Sequence, residues 1–405
     1  MFSKENKGNK AFTLIELLVV IAILAVLAVA VTLILNPAEL IRQGRDSIRL
    51  SDLATINKAL GLYQTDQIAQ WMGTSTIVYT SLPDLDSTCS SYGLPSLPSG
   101  WTYNCQTTTT YTNVDGTGWL PVDFTSMSFS SPLARLPVDP VNNATSSKYY
   151  TYVSGGSWEL SAVMEAVSNK LGGDNDRVSG DGGEYADIYE TGTNLELLPV
   201  NRNPNLVGYW QFDEGTGTNT YDASGNGNDG TLVNTPTWTT DAKKGDYALE
   251  FNGENTYVDI GTDLGVFPNI SVEAWVKYDD SMNRKAIIAS DSPSVPAIFF
   301  EVNEDNLRIY RGGYSGSYTL QVNNWYHVVG IVEGIDGTKD MEIYVNGIRK
   351  VNSDNVSNSM GSDTGNMQIG IANGNLVPFN GTIDNVRIYN RALSATEIEA
   401  MYNSY

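Results

Sequence analysis

The chain has 405 residues, 41% of them hydrophobic, with 38 Gly, 23 Tyr, one His and two Cys. That length predicts two or three domains. The formal charge of −22 excludes a phosphate-backbone binder, because no basic face exists to release counterions. The acidity is shared: residues 1–200 carry 11 basic and 20 acidic side chains (−9), and residues 201–405 carry 13 and 26 (−13). One His and two Cys also exclude an ordinary structural zinc site built without carboxylates.

Residues 1–11, MFSKENKGNKA, are short and polar, with Lys4, Lys7 and Lys10. Phe12 to Leu35 follow, 24 residues that are apolar except for Thr13, Glu16 and Thr32. About 20 apolar residues span a bilayer as a helix, so 12–35 reads as a transmembrane segment with the lysines setting its orientation. Glu16 breaks the pattern. A carboxylate deep in lipid costs about 2.5–3.5 kcal/mol on insertion scales. Phe12 lies four residues earlier on the same helical face, and a cut before Phe12 would create an amino group with which Glu16 can pair.

Ala11 followed by FTLIE resembles the cleavage and methylation site of type IV prepilins and pseudopilins. The resemblance implies that a prepilin peptidase cuts between Ala11 and Phe12. It implies N-methylation of Phe12, with Glu16 guiding docking onto a neighbouring subunit. The family usually has Gly before the cut, where this chain has Ala11. The competing reading is an ordinary signal peptide cut after Ala28-Val29-Ala30; it leaves the apolar run continuing past the cut and gives Glu16 no purpose.

Asn36-Pro37-Ala38-Glu39 supplies a capping residue, Pro at the first helical position and Glu at the third, so the helix restarts there. Leu53, Ile56, Leu60 and Tyr63 then hold one apolar face, and Arg42–Asp46, Asp46–Arg49 and Arg49–Asp52 read as helix-spaced ion pairs. A long helix over 12–66 is expected. Residues 67–200 resemble a small pilin head, with short strands at WTYNC, KYYTYV and SWELSAVME. In an exported chain Cys89 and Cys105 pair and close a small loop; the alternative is two free thiols. Asp174, Asp176 and Asp181 sit in a Gly-rich loop that reads as a solvated acidic loop, calcium being the alternative. The polar stretch from Pro199 to Pro204 makes residues 201–205 read as a short stiff linker.

From Leu206 about eleven short strand-like runs alternate with turn residues, which predicts a two-sheet sandwich. Asn346-Gly347 marks a two-residue hairpin. Ser394-Ala-Thr-Glu397 is a capping box opening a last helix. YWQFDE, DASGNGNDGTL, SVEAWVK, WYHVVG, IYVNG and GTIDNVRIYNRALSATEI together resemble a laminin-G-like (concanavalin A-like) domain over 206–405. The resemblance implies a jelly-roll whose first and last strands pair, bringing Asp384 near the 213–230 loop. Asp213, Asp222, Asn226, Asn228 and Asp384 then become candidate ligands for a structural Ca²⁺; the alternative is that Asn and Gly merely supply left-handed turns. His327 lies in an alternating strand and reads as a packing residue.

The expected fold is a pilin-like α+β unit followed by an all-β jelly-roll sandwich. The expected function is a type IV pilin-like filament subunit displaying a sandwich for glycan or surface-protein adhesion. Its partners would be copies of itself, other pilins, prepilin peptidase and an inner-membrane assembly platform, and nucleic acid is not among them. It would be stored in the cytoplasmic membrane and then placed on the cell surface. A pseudopilin of a type II secretion-like machine is the rival. A tethered carbohydrate-active enzyme is the third class, and no strand carries the clustered acids that such chemistry needs.

Overall fold

A computed structural model describes residues 14–66, 71–183, 185–265, 267–280, 283–290, 298–334, 339–356, 365–372 and 377–404. Two helices open it, α1 (Leu14–Leu35) and α2 (Pro37–Asp66). Asn36 separates them at φ 39°, a left-handed conformation that Asn tolerates. Its carbonyl accepts from the Glu39 and Leu40 amides, so α2 starts at the proline. Among the described residues no helix is long and apolar enough to cross a membrane; α1 side chains beyond residue 25 lie outside that description.

The apolar face of α2 packs as its spacing predicts, with Leu53, Ile56, Leu60 and Tyr63 buried. On the charged face the expected Asp46–Arg49 pair forms, but out of reach of solvent, and the other two expected pairs are replaced. Asp46 and Arg49 are fully buried and 2.7 Å apart, and Arg49 also bonds both oxygens of Asp139 at 2.6 and 2.9 Å. Arg42 pairs instead with Glu39, and Asp52 accepts from the Tyr150 hydroxyl. The helix thus clamps the head with an ionic core, whose far partners the sequence spacing could not reveal.

Five head strands follow: β1 (Ile77–Pro83), β2 (Thr102–Gln106), β3 (Thr151–Ser154), β4 (Trp158–Ala162) and β5 (Tyr189–Gly192). They form one sheet in the order β2-β1-β3-β4-β5. β1 and β2 run parallel and the other pairs antiparallel. Cys89 and Cys105 form a disulfide between the loop after β1 and strand β2.

The sandwich begins with β6 (Leu206–Trp210), β7 (Asn219–Thr220), β8 (Gly230–Val233), β9 (Thr237–Thr239), β10 (Ala248–Asn252), β11 (Tyr257–Asp259), β12 (Asn269–Tyr278) and β13 (Arg284–Ser290). It continues with β14 (Phe299–Asn303), β15 (Asn306–Tyr310), β16 (Tyr318–Thr319), β17 (Tyr326–Glu333), β18 (Lys339–Val345), β19 (Ile348–Val356), β20 (Met367–Ile369) and β21 (Asn380–Tyr389). One sheet has the order β19-β18-β17-β12-β21-β10-β9, with β6 also paired to β21. The other runs β16-β15-β14-β13-β20-β11-β8-β7. First and last strands pair through Trp210 and Val386. Asn346 and Gly347 turn the β18–β19 hairpin at φ 51° and 76°, the two positive values that such a turn needs. Helix α3 (Ala395–Asn403) carries the full Ser394–Glu397 capping box.

Alternation decides what each strand face meets. Val272, Ala274 and Val276 point between the sheets with Phe300, Val302 and Ile309. The opposite face of the first sheet is also covered. Tyr209, Val329, Ile331, Tyr344 and Tyr389 join Leu393, Ile398 and Met401 of the C-terminal segment in one apolar cluster with Tyr185 and Leu198 of the head. A single core therefore crosses from head to sandwich.

Candidate functional sites

At the N-terminus, Ala11 and Phe12 lie outside the described residues. Glu16 sits in the first turn of α1, on a stretch whose side chains from 14 to 25 are exposed. Exposed apolar side chains continue onto α2: Ile41, Ile48 and Leu62, at heptad spacing, are 57%, 49% and 46% exposed. The residue that continues the stripe between them, Thr55, is exposed too.

The candidate calcium residues fall into two places. In the 222–229 loop, Asp222 accepts from the amides of Tyr209, Ser224 and Asn228 at 2.9 Å each. Asn226 and Asn228 donate through Nδ2 to the Val207 carbonyl. Asp213 and Asp384 instead grip the 243–247 turn. Asp213 accepts from the amides of Asp246 and Tyr247, and Asp384 from those of Lys243 and Lys244. Burial pushes the Asp384 carboxyl up to about 7. A Ca²⁺ site needs six to eight oxygens turned toward one point. Here the carboxylates face N–H donors in separate places, and no group of three or more His, Cys, Asp or Glu is placed to hold a metal among the described residues. Asp213 and Asp384 thus share one turn, and Asp222, Asn226 and Asn228 share another.

The acidic loop of the head works similarly. Asp176 accepts from the amides of Gly172, Val178 and Ser179, and Asp181 from those of Gly183 and Glu190. Asp174 is exposed. Behind the loop, Glu159 and Glu190 are both buried and lie beside each other. Burial raises both, and Asp181 is pushed up to about 7.

His327 lies under α3, fully buried. Its Nε2 is 3.0 Å from Glu273 Oε1, which also accepts from Arg387 Nη1 at 2.9 Å. Arg387 donates further to the Tyr209 hydroxyl, whose proton goes to Asn385 Oδ1. Burial pushes the Glu273 carboxyl up, but Arg387 and His327 pull it net below the ordinary carboxylate range. The ring is 5.2 Å from Trp275 and 5.9 Å from Tyr402. This network braces the covered sheet face.

The joint between head and sandwich is built rather than slack. Asn201 and Arg202 are each 2% exposed. Arg202 donates to the Tyr149 carbonyl at 2.7 Å and to Ser161 Oγ at 2.8 Å, with its guanidinium 4.6 Å from the Tyr149 ring centre. Asn201 and Asn203 both donate to Asp187. The Ser96 amide reaches the Gly225 carbonyl at 2.7 Å. Gly225 is at φ 81°, and a Cβ there would meet Pro95 at 2.3 Å, so the two parts approach at backbone distance.

The outer face of the second sheet carries a different cluster, invisible in sequence because its members come from three strands and a loop. Glu301 of β14, fully buried, accepts from Arg284 Nε of β13 at 2.8 Å and from Arg308 Nε of β15 at 2.6 Å. Arg284 Nη2 donates to the Tyr314 hydroxyl at 3.0 Å, and Arg308 lies 4.2 Å over the Tyr314 ring. Tyr310 and Tyr314 have ring centres 4.7 Å apart.

Residues 6–32 match the model of the prokaryotic N-terminal methylation motif, and residues 252–399 match that of the concanavalin A-like lectin/glucanases superfamily. The chain thus joins a type IV pilin-like N-terminus to a lectin-like β-sandwich. Among solved structures it is similar to domain 4 of a GH43 extracellular arabinanase from Geobacillus stearothermophilus, solved with arabinotriose. The identity is 19% over 49% of this chain and 98% of that one, with TM-score 0.40. It is also similar to a Trypanosoma rangeli sialidase (19%, 49% and 32%, TM-score 0.37) and to the receptor-binding domain of botulinum neurotoxin type G (16%, 49% and 51%, TM-score 0.38). The chain thus spans about a third of the sialidase and half of the neurotoxin receptor-binding domain. No curated protein matches it.

Proposed function

We propose that the chain is a non-enzymatic subunit of a type IV pilin-like filament that carries its sandwich outward for adhesion to glycans or surface proteins. The observation that carries this reading is the prepilin methylation motif at 6–32, continued by an exposed apolar stripe along α2. An apolar helix face does not stay in water. In the precursor, residues 12–35 lie in the cytoplasmic membrane. After prepilin peptidase removes 1–11, the helices pack against those of other copies or other pilins at the assembly platform. The Phe12 amine pairs with Glu16 of a neighbour. The size of the sandwich favours a surface filament over a secretion pseudopilus, where a piston has little room.

Mass spectrometry of the membrane-extracted protein tests the first step. The expected N-terminal peptide begins at N-methylated Phe12; a chain beginning at Val31 refutes the filament reading. Ile48→Asp is expected to abolish incorporation into filaments while leaving stability within about 0.5 kcal/mol, since Ile48 is a surface residue in the monomer. For adhesion, filaments assembled with and without this chain are compared on glycan-coated surfaces; equal attachment per filament length removes the adhesive role.

A further inference from the structure

We propose that the Arg284–Glu301–Arg308–Tyr314 cluster is a binding site for carboxylated sugars, that is, for an acidic glycan. The inference rests on the adhesive reading of the sandwich and narrows it to one surface and one ligand chemistry. The first sheet's outer face is closed by α3 and the head, which leaves the outer face of β13–β15 facing away from that joint.

The cluster is rigid before any ligand arrives. Glu301 has no exposed side-chain surface, and it fixes both guanidinium groups through their Nε atoms. Cross-strand register puts Arg308 opposite Glu301 and Tyr310 opposite Phe299, so all four project from the same face. Arg284 lies 4.9 Å over the Phe299 ring, which props it from below. Tyr314 then locks the two arginines together, accepting from one and lying beneath the other. Arg284 remains 37% and Arg308 23% exposed, so both side chains reach solvent. Tyr314 is 42% exposed.

Two guanidinium groups over one carboxylate leave a net charge of +1 on a chain of −22. Such a spot attracts anions where the rest of the surface repels them. A guanidinium edge matches a carboxylate through two parallel hydrogen bonds. The Tyr310–Tyr314 pair adds a flat apolar surface with polar tips, suited to the C–H face of a sugar ring. Ordering costs are already met within the folded protein, which favours binding by preorganisation. A sugar acid unites both demands in one residue; a neutral glycan uses only the rings, and a small inorganic anion only the arginines.

The test uses the full-length, detergent-extracted chain and two probes, oligogalacturonate and hyaluronan oligosaccharides, with methyl-esterified oligogalacturonate as the uncharged control. The wild type is expected to bind at least one acidic probe, to bind the ester at least tenfold more weakly, and to lose affinity as salt rises. Arg308→Gln is expected to weaken binding at least tenfold, and Tyr314→Ala, at an exposed position that leaves the core intact, at least fivefold. Arg308→Lys, which keeps the charge without the fork, should fall between. Failure to bind either acidic probe, equal binding of the ester, or unchanged affinity in both Arg308→Gln and Tyr314→Ala overturns the site. If filaments carrying Arg308→Gln still attach as the wild type does, and filaments without the chain do not, the site falls and the adhesive reading stands.

Discussion

At the residue scale, the buried acids of the head decide how the protein responds to pH. Glu159, Glu190 and Asp181 all have carboxyls raised by burial, Asp181 to about 7. The folded head therefore holds protons that the unfolded chain releases near pH 4. The stability these groups contribute is fully present below that pH and is lost as pH rises through their folded values, about 7 for Asp181. Thermal melts of the extracted protein are expected to show Tm falling between pH 5 and 8. Glu190→Gln should flatten that slope and raise stability at pH 8 by about 1 kcal/mol. A glutamine can accept from the Tyr185 amide, as Glu190 Oε2 does at 3.0 Å, and donate to Glu159 without sharing a proton. An unchanged slope would mean that the pair does not hold a proton. Loop residues with low carboxyls oppose this trend weakly: Asp86 and Asp115, lowered by neighbouring hydroxyls and amides, sit at the surface.

Among the elements, the disulfide-closed segment 89–105 does two jobs. It ties the loop after β1 to β2, and it presents Pro95 and Ser96 to the 224–226 turn of the sandwich. Closing a loop of this length stabilises by about 3 kcal/mol in the chain-entropy account. Cys105→Ala under oxidising conditions should therefore expose residues 89–105 to limited proteolysis first, followed by cleavage near 201–205 as the joint loosens. Cleavage confined to 89–105 would show that this loop does not support the joint. The elements also show what the sequence made legible. Strands with clean alternation, such as 269–278 and 326–333, and the Ser394 capping box were readable because their signals are local. Strand β1, parallel to β2, was not, since the five central residues of IVYTSLP are all buried and leave no period to read. Likewise, the spacing of Asp46 and Arg49 shows their pairing but not their burial, because the further partners Asp139 and Glu165 lie 90 or more residues from Arg49. The five candidate calcium residues carried no sign that they divide between two turns, since the amides they accept from belong to other segments. The Arg284–Arg308 cluster carried no local signal at all.

For the whole molecule, head and sandwich share an apolar core and are expected to unfold together. Calorimetry of the chain should give a single cooperative transition beyond the N-terminal helix. Arg202→Ala removes two charged hydrogen bonds in a buried place and should cost about 2–3 kcal/mol. It should also split the transition in two; a lower but still single transition would locate the coupling in the apolar contacts instead. Cutting the chain at residue 205 is not a neutral truncation, because it strips Tyr185 and Leu198 of their cover.

The pairing of β6 with β21 sets the path of mechanical load. Tension applied to the sandwich does not travel through five residues of backbone alone. It enters β6, which is laced to β21 by antiparallel hydrogen bonds, and these must all shear at once before the strand can leave. In parallel, Arg202, Tyr209 and α3 carry traction sideways into the head and on to the ionic clamp on α2. On the adhesive reading proposed above, load from a tethered cell would reach the filament through a riveted plate, not a hinge on a string.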